Sequence, residues 1–298
     1  MYKDKEIVYI KALTPIHAGA GDGLESVDMP IQREKHSNIP KIEASSLKGS
    51  IKHSLYGKFK EDRDEIPKES KKELYTVFGP EDEKENYSSS IGFTDAKLLF
   101  FPVRSAEGIF KLVTCPYILK RWIKELKMIG ENIDVDLNIN VNSGEYIDCK
   151  ENNSGGNNEK IILEEYVFDK FNSIDEHLKN IFSSIKDLDT DRVVILNNSD
   201  FIDLVTMYTE IITRNKINVQ TGAAEKAGLF TEEYLPAESI MYFIVLGAPS
   251  FNKNHKKTSK EVIKYFNDNV DKIFQVGGDA TIGKGFVEKL EKSGDKNV

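Results

Sequence analysis

The chain has 298 residues, of which 39% are hydrophobic and 30% are charged, and its formal net charge is −8 at pH 7. This length is enough for one large domain or two small ones, and the composition is that of a soluble globular protein. No apolar run approaches the roughly 18 residues that cross a bilayer, and the N-terminus lacks the apolar core of a signal peptide, so we expect a cytoplasmic protein with no membrane partner.

The first part of the chain is predicted to form a strand, a long loop and a helix. Residues 6–13 are β-rich, and residues 14–44 are rich in glycine and proline without a helical period. A loop of that length in a compact domain is usually functional or disordered. A helix is then predicted from Ser46 to about Phe59, with Ser45 as its N-cap. Its apolar residues recur at every fourth position: Leu47, Ile51, Leu55 and Phe59.

The remaining elements alternate between strands, helices and polar connections. Residues 61–90 predict a polar surface excursion, residues 149–160 a flexible linker, residues 163–185 a partly helical segment, and residues 206–236 a hairpin-like excursion. Strands are predicted at 90–103, 110–114, 133–142, 192–196, 239–248 and 286–290, and helices at 116–129 and 259–274.

The order of the strongest elements indicates the fold class. It is strand, helix, strands, helix, strand, which is typical of a ferredoxin-like or RRM-like antiparallel sheet with helices on one face. We therefore expect an α+β protein with an RRM-like core and large insertions. No internal repeat is visible in the sequence.

The charge is unevenly distributed along the chain. Residues 41–60 contain five lysines and one glutamate, a local charge of five minus one, or +4. Residues 61–90 contain ten acidic and five basic residues, a local charge of five minus ten, or −5. The chain thus combines a local basic site with an acidic body, and the distribution of charge says more about nucleic-acid binding than the net value does.

The start of the predicted helix, SSLKG (45–49), is a candidate anion site. A helix N-terminus offers unpaired N–H groups and a partial positive charge, to which serine hydroxyls and a lysine can add. Lys48 and Lys52 are four residues apart, so they lie along one edge of the helix. The alternative is an ordinary capped amphipathic helix whose lysines are solvated.

A second candidate anion site is GGDATIGKGF (277–286), which nearly spells a phosphate-binding loop. It lacks the Ser or Thr after the lysine, follows a helix and precedes a strand, so we reject a nucleotide hydrolase. Its glycines would still let backbone N–H groups approach an anion, and Lys284 would supply charge. A plain glycine-rich turn explains the pattern equally well.

Three other patterns resemble binding motifs but fail on their surroundings. No helix follows GAGDG (19–23), as it would in a dinucleotide-binding loop. Asp134 and Asp136 are spaced as in a calcium loop, but isoleucine stands where that loop needs glycine. Cys115 and Cys149 are far apart, which fits a reduced compartment and excludes a Cys-x-x-Cys zinc site.

Four segments together resemble one family. They are LTPIHAGAG, VDMPIQREKHSNIPKIEASSLKGS, TEIITRNKINVQTGAAEKAGLFTEEYLP and GGDATIGKGF. The combination resembles the repeated backbone subunit of the type III-B CRISPR effector, the Cmr complex, in the RAMP superfamily. VDMPIQRE and TEEYLP are the specific motifs, and the likeness is weakest across residues 61–90 and 130–190.

The resemblance implies a single RAMP domain over residues 1–298, with an insertion at about 130–190 and a β-hairpin thumb within 206–236. It also implies copies stacked in a filament along a guide CRISPR RNA, with other subunits of the effector complex. Each copy would cut the single-stranded target RNA once, at six-nucleotide intervals, with a loosely bound divalent metal, Mg²⁺ or Mn²⁺. A 2′-OH transesterification is the cutting chemistry we expect.

The resemblance assigns roles to particular residues. The family places its cutting acid in the loop before the helix, which here is Asp28 in loop 14–44, a candidate metal ligand. His17, Glu232 and Tyr234 are the further catalytic candidates. Guide RNA would be held by Ser45, Ser46, Lys48, Gly49, Lys52, Gly277, Gly278, Thr281, Gly283, Lys284 and Gly285.

Two alternatives to a cutting subunit stay open at this point. A purely structural guide-binding backbone subunit would have no nuclease activity, and VDMPIQRE argues against it. A lone RAMP endonuclease that processes precursor guides would carry a catalytic histidine and would not need a thumb of this kind.

Overall fold

The computed structural model describes residues 2–21, 27–60, 66–81, 87–133, 135, 137–150 and 159–292. The helices are α1 (Ala44–Phe59), α2 (Lys68–Phe78), α3 (Pro116–Met128), α4 (Glu176–Ser183), α5 (Asn198–Met207) and α6 (Ser259–Asn269). The strands are β1 (Asp4–Ala12), β2 (Lys41–Ile42), β3 (Ile91–Phe93), β4 (Ala96–Arg104), β5 (Phe110–Thr114), β6 (Glu145–Asp148), β7 (Lys160–Leu163), β8 (Tyr166–Ser173), β9 (Val193–Leu196), β10 (Glu210–Ile217), β11 (Ala224–Tyr234), β12 (Ile240–Gly247), β13 (Ile273–Gln275) and β14 (Phe286–Leu290).

The elements confirm the expected mixed α+β class. One large, mostly antiparallel sheet runs β13-β14-β1-β12-β4-β5-β9-β6-β8-β7, with parallel pairs only at β5–β9 and β6–β8 among the described strands. Its centre is the antiparallel set β14-β1-β12-β4. In the chain, α1 follows β1 and α6 follows β12. The strands predicted at residues 6–13, 110–114, 192–196, 239–248 and 286–290 are confirmed.

Helices cover the central sheet on both faces. Val8 and Tyr9 point to opposite faces, as successive strand residues do. Phe243, opposite Val8, packs against Phe266 of α6. Tyr9 accepts a hydrogen bond from Trp122 of α3 at 3.1 Å. The expectation of helices on one face is therefore incomplete, because α3 packs on the other side.

The start of α1 differs from the prediction. The helix begins at Ala44, and its N-cap is Glu43, whose side chain makes no capping bond. Asp95 accepts a hydrogen bond from the Ala44 N–H at 2.9 Å and so performs the capping from another segment. Ser45 as N-cap is wrong, since it lies exposed in the first turn. The apolar stripe of Leu47, Ile51 and Leu55 is buried as predicted.

The prediction of a polar surface excursion at 61–90 is wrong for residues 68–78. These residues form α2, whose last five residues are buried. Phe78 of α2 packs against Phe93, which in turn contacts Phe266, with ring centroids 6.0 and 5.8 Å apart. The lysines and glutamates on the outer face of α2 make the segment polar on average, so its composition did not indicate that the other face is buried. Residues 61–65 and 82–86 lie outside the described residues.

For segment 133–142, the alternation of apolar residues predicted a half-buried strand. The burial is confirmed, but the strand is wrong. Its described residues form no strand, yet Leu137 and Val141 are buried and Ile139 packs against the core. Alternation places one set of side chains inward whether or not the backbone pairs with a neighbour. The lookalike calcium residues Asp134 and Asp136, and residues 151–158 of the expected linker, lie outside the described part of the chain.

The segment 206–236 contains an antiparallel hairpin of β10 and β11, which forms a separate two-stranded sheet. Helix α5, which precedes it, was not predicted. In residues 163–185 the structure has β8 and α4, in agreement with a partly helical segment. None of the helices formed by the described residues is long and apolar enough to cross a membrane.

Candidate functional site

The loop that carries Asp28 runs along the base of the hairpin. The Met29 N–H donates to the Thr231 carbonyl, and the Glu233 N–H donates to the Met29 carbonyl, both at 3.0 Å. Two further bonds of 2.9 Å join Ile16 and Leu235. The end of β11 therefore has β10 on one edge and the loop on the other.

Asp28 is exposed and is held by one residue, Thr231. Its Oδ2 accepts hydrogen bonds from the Thr231 N–H at 2.7 Å and from the Thr231 hydroxyl at 2.8 Å. The Asp28 N–H donates to the same hydroxyl oxygen at 3.0 Å. Hydrogen bonds from the Thr231 backbone, and then from its side chain, lower the pKa of Asp28 from its ordinary value. Asp28 is therefore a carboxylate at neutral pH, and within the described chain no residue bonds to its Oδ1.

The three polar residues at the end of VDMPIQRE anchor the loop. Gln32 donates to the Gly19 carbonyl at 3.0 Å, and its Oε1 accepts from the Glu43 N–H at 2.7 Å. Arg33 pairs with Glu233 of β11. Glu34, which is buried, pairs with Arg121 of α3. Since all three face the protein, Asp28 is the exposed ionised group of the motif.

Glu233 is a structural carboxylate. Its Oε1 accepts from Arg33 at 2.5 Å and from the Thr209 hydroxyl at 2.7 Å, and its Oε2 accepts from the Ile31 N–H at 3.0 Å. The side chain is 8% exposed. Glu233 thus joins the loop to the hairpin and has no oxygen left for a substrate.

His17 is buried beside the same strand. Its Nδ1 lies 2.8 Å from the Glu233 carbonyl, which can only accept, so Nδ1 carries a proton. In the neutral imidazole the lone pair is then on Nε2. A Cβ at Gly19 would lie 2.9 Å from Nε2, so this glycine leaves the space beside the nitrogen open. The His17 carbonyl accepts from the Gly278 N–H at 2.8 Å, which brings the glycine-rich loop to the site.

Tyr234 lies in a cluster on the other face of β11. Its hydroxyl is 2.7 Å from Glu232 and 2.6 Å from Asp279, and it accepts from Arg214. Arg214 also pairs with Glu232 at 2.7 Å. Burial, followed by these two carboxylates, raises the pKa of Tyr234, so the phenol stays protonated. Its single proton serves one carboxylate at a time.

The two faces of β11 therefore have different partners. Residues two apart share a face, so Thr231 and Glu233 face the Asp28 loop, while Glu232 and Tyr234 face the glycine-rich loop. Among the described residues, no hydrogen bond joins Asp28 directly to Glu232 or to Tyr234. The structure brings His17, Glu232, Tyr234 and Asp28 to one end of the hairpin but separates them into two groups.

The glycine-rich loop needs its glycines for its own conformation. Gly277 and Gly285 have φ of +82° and +80°, and a Cβ at either would lie 2.4 or 2.0 Å from a backbone oxygen. This supports the plain-turn alternative for these two positions. Gly283 also has positive φ, but a Cβ there would meet nothing, and Thr281 is exposed. The Lys284 ammonium lies 4.8 Å from the centre of the Tyr234 ring.

The two helix lysines have partners within the chain. Lys48 donates to the Ser89 hydroxyl at 2.6 Å, and burial, followed by the charge of Lys52, lowers the Lys48 pKa to about 8. Lys52 donates to the Gly79 carbonyl and pairs with Glu81, both at 3.0 Å. These lysines connect α1 to the segment around α2 rather than to the Asp28 loop.

The exposed part of the α1 N-terminus lies nearer to the Asp28 loop. Ser46 accepts a hydrogen bond from Gln32 at 3.2 Å, and Ser45 and Gly49 are exposed. A Cβ at Gly49 would meet nothing within 4 Å, so the backbone there is open to close approach from outside.

Sequence reasoning missed four residues of the site. Thr231, Arg33, Arg214 and Asp279 hold Asp28, Glu233 and Tyr234 in place. Thr231 and Arg33 stand inside the two specific motifs, which is the signal that could have found them. Asp279 has φ of +61° in a glycine-rich loop, a conformation that the sequence alone does not reveal.

The donor set fits a loosely bound metal ion rather than an enclosed one. Among the described residues no group of three or more His, Cys, Asp or Glu side chains could hold a metal. Mg²⁺ keeps several waters and is commonly bound by one or two carboxylates together with substrate phosphates. Asp28, with Oδ1 unpaired in the described structure, can supply one such ligand.

Comparison with known proteins places the chain among CRISPR proteins. A family model described as the RAMP superfamily matches residues 9–288. The chain is 35% identical to the CRISPR system Cmr endoribonuclease Cmr4 of Pyrococcus furiosus, over 98% of this chain and 97% of that protein. It is 27% identical to the CRISPR system CMR subunit Cmr4 of Saccharolobus solfataricus, over 94% of each.

Solved structures show the same likeness over nearly the full length. A chain of the type III-B Cmr-beta complex bound to cognate target RNA has a TM-score of 0.74 at 26% identity, with 97% of each chain covered. Oligomeric Cmr4 of Pyrococcus furiosus has a TM-score of 0.68 at 28% identity, with 98% of this chain and 99% of that chain covered.

Proposed function

The chain belongs to the RAMP superfamily, and from this premise we propose that it is a backbone subunit of a type III-B CRISPR effector complex that binds guide RNA and cuts target RNA. The Pyrococcus furiosus relative is named an endoribonuclease, and a similar chain occurs in a complex with cognate target RNA. The oligomeric form of that relative supports association with further copies. Other subunits of the complex are the remaining partners.

We propose that β14-β1-β12-β4, with α1 and α6, is an RRM-like core. Its strand order supports this proposal, since α1 lies between β1 and β4 in the chain and α6 lies between β12 and β14, as in a strand-helix-strand-strand-helix-strand unit. The segments between β4 and β12 form the insertions. In this arrangement α1 and the glycine-rich loop lie at connections of the core, where a guide backbone can be held without reading its sequence.

The hairpin of β10 and β11 is the proposed thumb. It forms its own two-stranded sheet, and its end carries exposed apolar side chains, with Val219 99% exposed. An apolar tip can enter a stack of bases and displace one. Repetition of that displacement by each copy would set the six-nucleotide interval between cuts.

One observation carries the assignment of the cutter: Asp28 is an exposed carboxylate, kept ionised and held by Thr231 at the base of the hairpin. Glu232 and Glu233, the two carboxylates at the end of β11 beside the loop, are buried and paired with arginines. Of these three carboxylates, Asp28 is the exposed one that a target strand can reach. A purely structural backbone subunit would not need it there.

In the proposed reaction Asp28 orients the 2′-OH of the nucleotide before the cut. The 2′-oxygen bonds to phosphorus, the bond to the 5′-oxygen breaks, the 2′ proton passes through Asp28 to solvent, and the 5′-oxygen takes a proton from solvent. A displaced base kinks the backbone toward the in-line geometry that this attack needs. In the alternative role Asp28 would help to hold Mg²⁺ or Mn²⁺, which would supply positive charge to stabilise the phosphoryl group.

His17 and the Tyr234 cluster have supporting roles in this proposal. The Nε2 of His17 carries a lone pair, so it can accept a hydrogen bond from a ribose hydroxyl of the target. Tyr234 and Glu232 are fully committed to Arg214 and Asp279, so they hold the glycine-rich loop against the hairpin. Tyr234 and Glu232 would then affect cutting indirectly, because they fix the position of the glycine-rich loop.

The test is Asp28→Asn in the assembled complex, with labelled target RNA. This near-isosteric change removes the charge, so we expect assembly and target binding to persist while cutting stops. Asp169→Asn is the matched control, because Asp169 of β8 is 62% exposed, pairs with Lys160 of β7 and belongs to the large sheet rather than to the hairpin. Cutting at the wild-type rate by the Asp28 variant would leave the subunit with a guide-binding role only.

A further inference from the structure

Thr231 bonds to residues 28 and 29 of the loop through its N–H, its hydroxyl and its carbonyl. Its N–H and hydroxyl both donate to Oδ2, at 2.7 and 2.8 Å, and its hydroxyl oxygen accepts from the Asp28 N–H at 3.0 Å. Its carbonyl accepts from the Met29 N–H at 3.0 Å. Thr231 thus fixes both the backbone and the carboxylate of residue 28.

This arrangement has a geometric consequence for the carboxylate. An exposed side chain on a loop normally exchanges rotamers within picoseconds to nanoseconds. Two donors on the same oxygen restrict the carboxylate of Asp28 to one orientation. Because both bonds end on Oδ2, the orientation that they select keeps Oδ1 unpaired among the described residues.

The position of Thr231 on β11 makes it a rigid support. The next residue on its face, Glu233, is fixed by Arg33, and Thr213 of β10 lies directly opposite Thr231 in the hairpin. A loop carboxylate that is hydrogen-bonded to a strand residue is held more precisely than one that is hydrogen-bonded to another loop.

We propose that Thr231 is the positioning residue of the cutting site: its hydroxyl aims the Asp28 carboxylate so that Oδ1 meets the target strand. This rests on the proposed function of Asp28. Thr231 touches neither the target nor the reacting atoms. A side chain without a hydroxyl therefore slows the cutting step and leaves target binding unchanged.

The test uses three variants in the assembled complex with labelled target RNA. Thr231→Val keeps the shape and removes the hydroxyl, Thr231→Ser restores the hydroxyl, and Thr213→Val makes the same change at the opposed, exposed position. Single-turnover cutting rate and target dissociation constant are measured for each. The loss of one hydrogen bond to a charged group predicts a rate about 10- to 100-fold lower for Thr231→Val. Its target affinity, and both properties of Thr231→Ser, should match the wild type. Thr213→Val reports any effect of the hairpin surface alone and should slow cutting less than Thr231→Val does.

The outcomes separate this inference from the function on which it rests. If Asp28→Asn still cuts in the same assay, the proposed function is wrong. If Asp28→Asn is inactive while Thr231→Val cuts at the wild-type rate, only the positioning role is wrong. Equal slowing by Thr231→Val and Thr213→Val, or no rescue by serine, would also overturn it. Should Thr231→Val fail to assemble, Thr231→Ala gives the same comparison with a smaller side chain.

Discussion

The guanidinium of Arg33 lies 2.5 Å from the carboxylate of Glu233, which joins the loop of Asp28 to β11. Both side chains are largely enclosed, with 15% and 8% exposure. Arg33 also donates to the carbonyls of Asn38 and Val205, at 2.8 and 3.1 Å. One side chain therefore ties together the acid loop, the hairpin and α5.

Removal of Arg33 should cost more stability than removal of a surface arginine. Arg33→Met leaves the Glu233 charge enclosed without its partner, so we expect the free energy of unfolding to fall by about 3 kcal/mol. Arg104→Met is the control, because Arg104 is 75% exposed where it pairs with Glu164. Its expected loss is below about 1 kcal/mol. Urea unfolding of the isolated chain measures both, and equal losses would contradict an enclosed pair.

The sequence predicted the Asp28 loop and the two elements that flank it better than it predicted their tertiary contacts. The absence of helical period and the abundance of glycine and proline marked residues 14–44 as a loop. The β-rich composition of β1 and the apolar stripe of α1 marked the elements on either side. These signals are local, so they indicate the element without any knowledge of its tertiary contacts. The proposal that Asp28 is the cutting acid came from a resemblance, because one exposed aspartate in a loop carries no signal of its own.

The errors arose where tertiary contacts decide local structure. Ser45 is a good N-cap residue, but Asp95 from another segment caps α1. The alternating residues 133–142 bury one side without a partner strand for their backbone. The sequence left Lys48 and Lys52 as either phosphate contacts or solvated lysines, and only the fold shows the partners that they have within the chain. None of these contacts is visible within a short sequence window.

The lowered pKa of Lys48 predicts a pH-dependent contribution to stability. Its folded pKa of about 8 lies below its ordinary value of 10.5, so between these values the unfolded chain binds more protons. The stability contributed by Lys48 should therefore rise as pH increases from about 8 to about 10.5. In denaturant unfolding across that pH range, the free energy of unfolding of the wild type should increase relative to that of Lys48→Met. A constant difference between the two proteins would show that Lys48 titrates normally.

Lys284 and Lys48 should differ in their effects on guide binding. Lys284 lies over the Tyr234 ring in the glycine-rich loop, and in the described structure no carboxylate forms an ion pair with it. If it contacts a guide phosphate, Lys284→Gln should weaken guide RNA binding and reduce the slope of log affinity against log salt by about 1. Lys48→Gln should change that slope less, because the ammonium already bonds Ser89 and Ile91. Filter binding over a salt series measures both, and identical slopes for the wild type and Lys284→Gln would remove Lys284 from the guide site.

The cutting chemistry makes a prediction about the target itself. Two-metal nucleases activate water with paired carboxylates, whereas here Glu232 and Glu233 are paired with arginines and Asp28 stands apart from them. If Asp28 orients the neighbouring 2′-OH as proposed, the products would be a 2′,3′-cyclic phosphate and a 5′-OH. Deoxyribose placed on the 5′ side of one expected cut should abolish that cut alone.

The remaining cuts in the same target serve as the internal control. If each copy acts separately through its own Asp28, those cuts should keep their six-nucleotide spacing and their rates. The ends are identified by whether a phosphatase and a kinase can relabel them. A cut at the deoxyribose, or a 5′-phosphate on the product, would show that water attacks the phosphorus and that Asp28 orients something other than the 2′-OH.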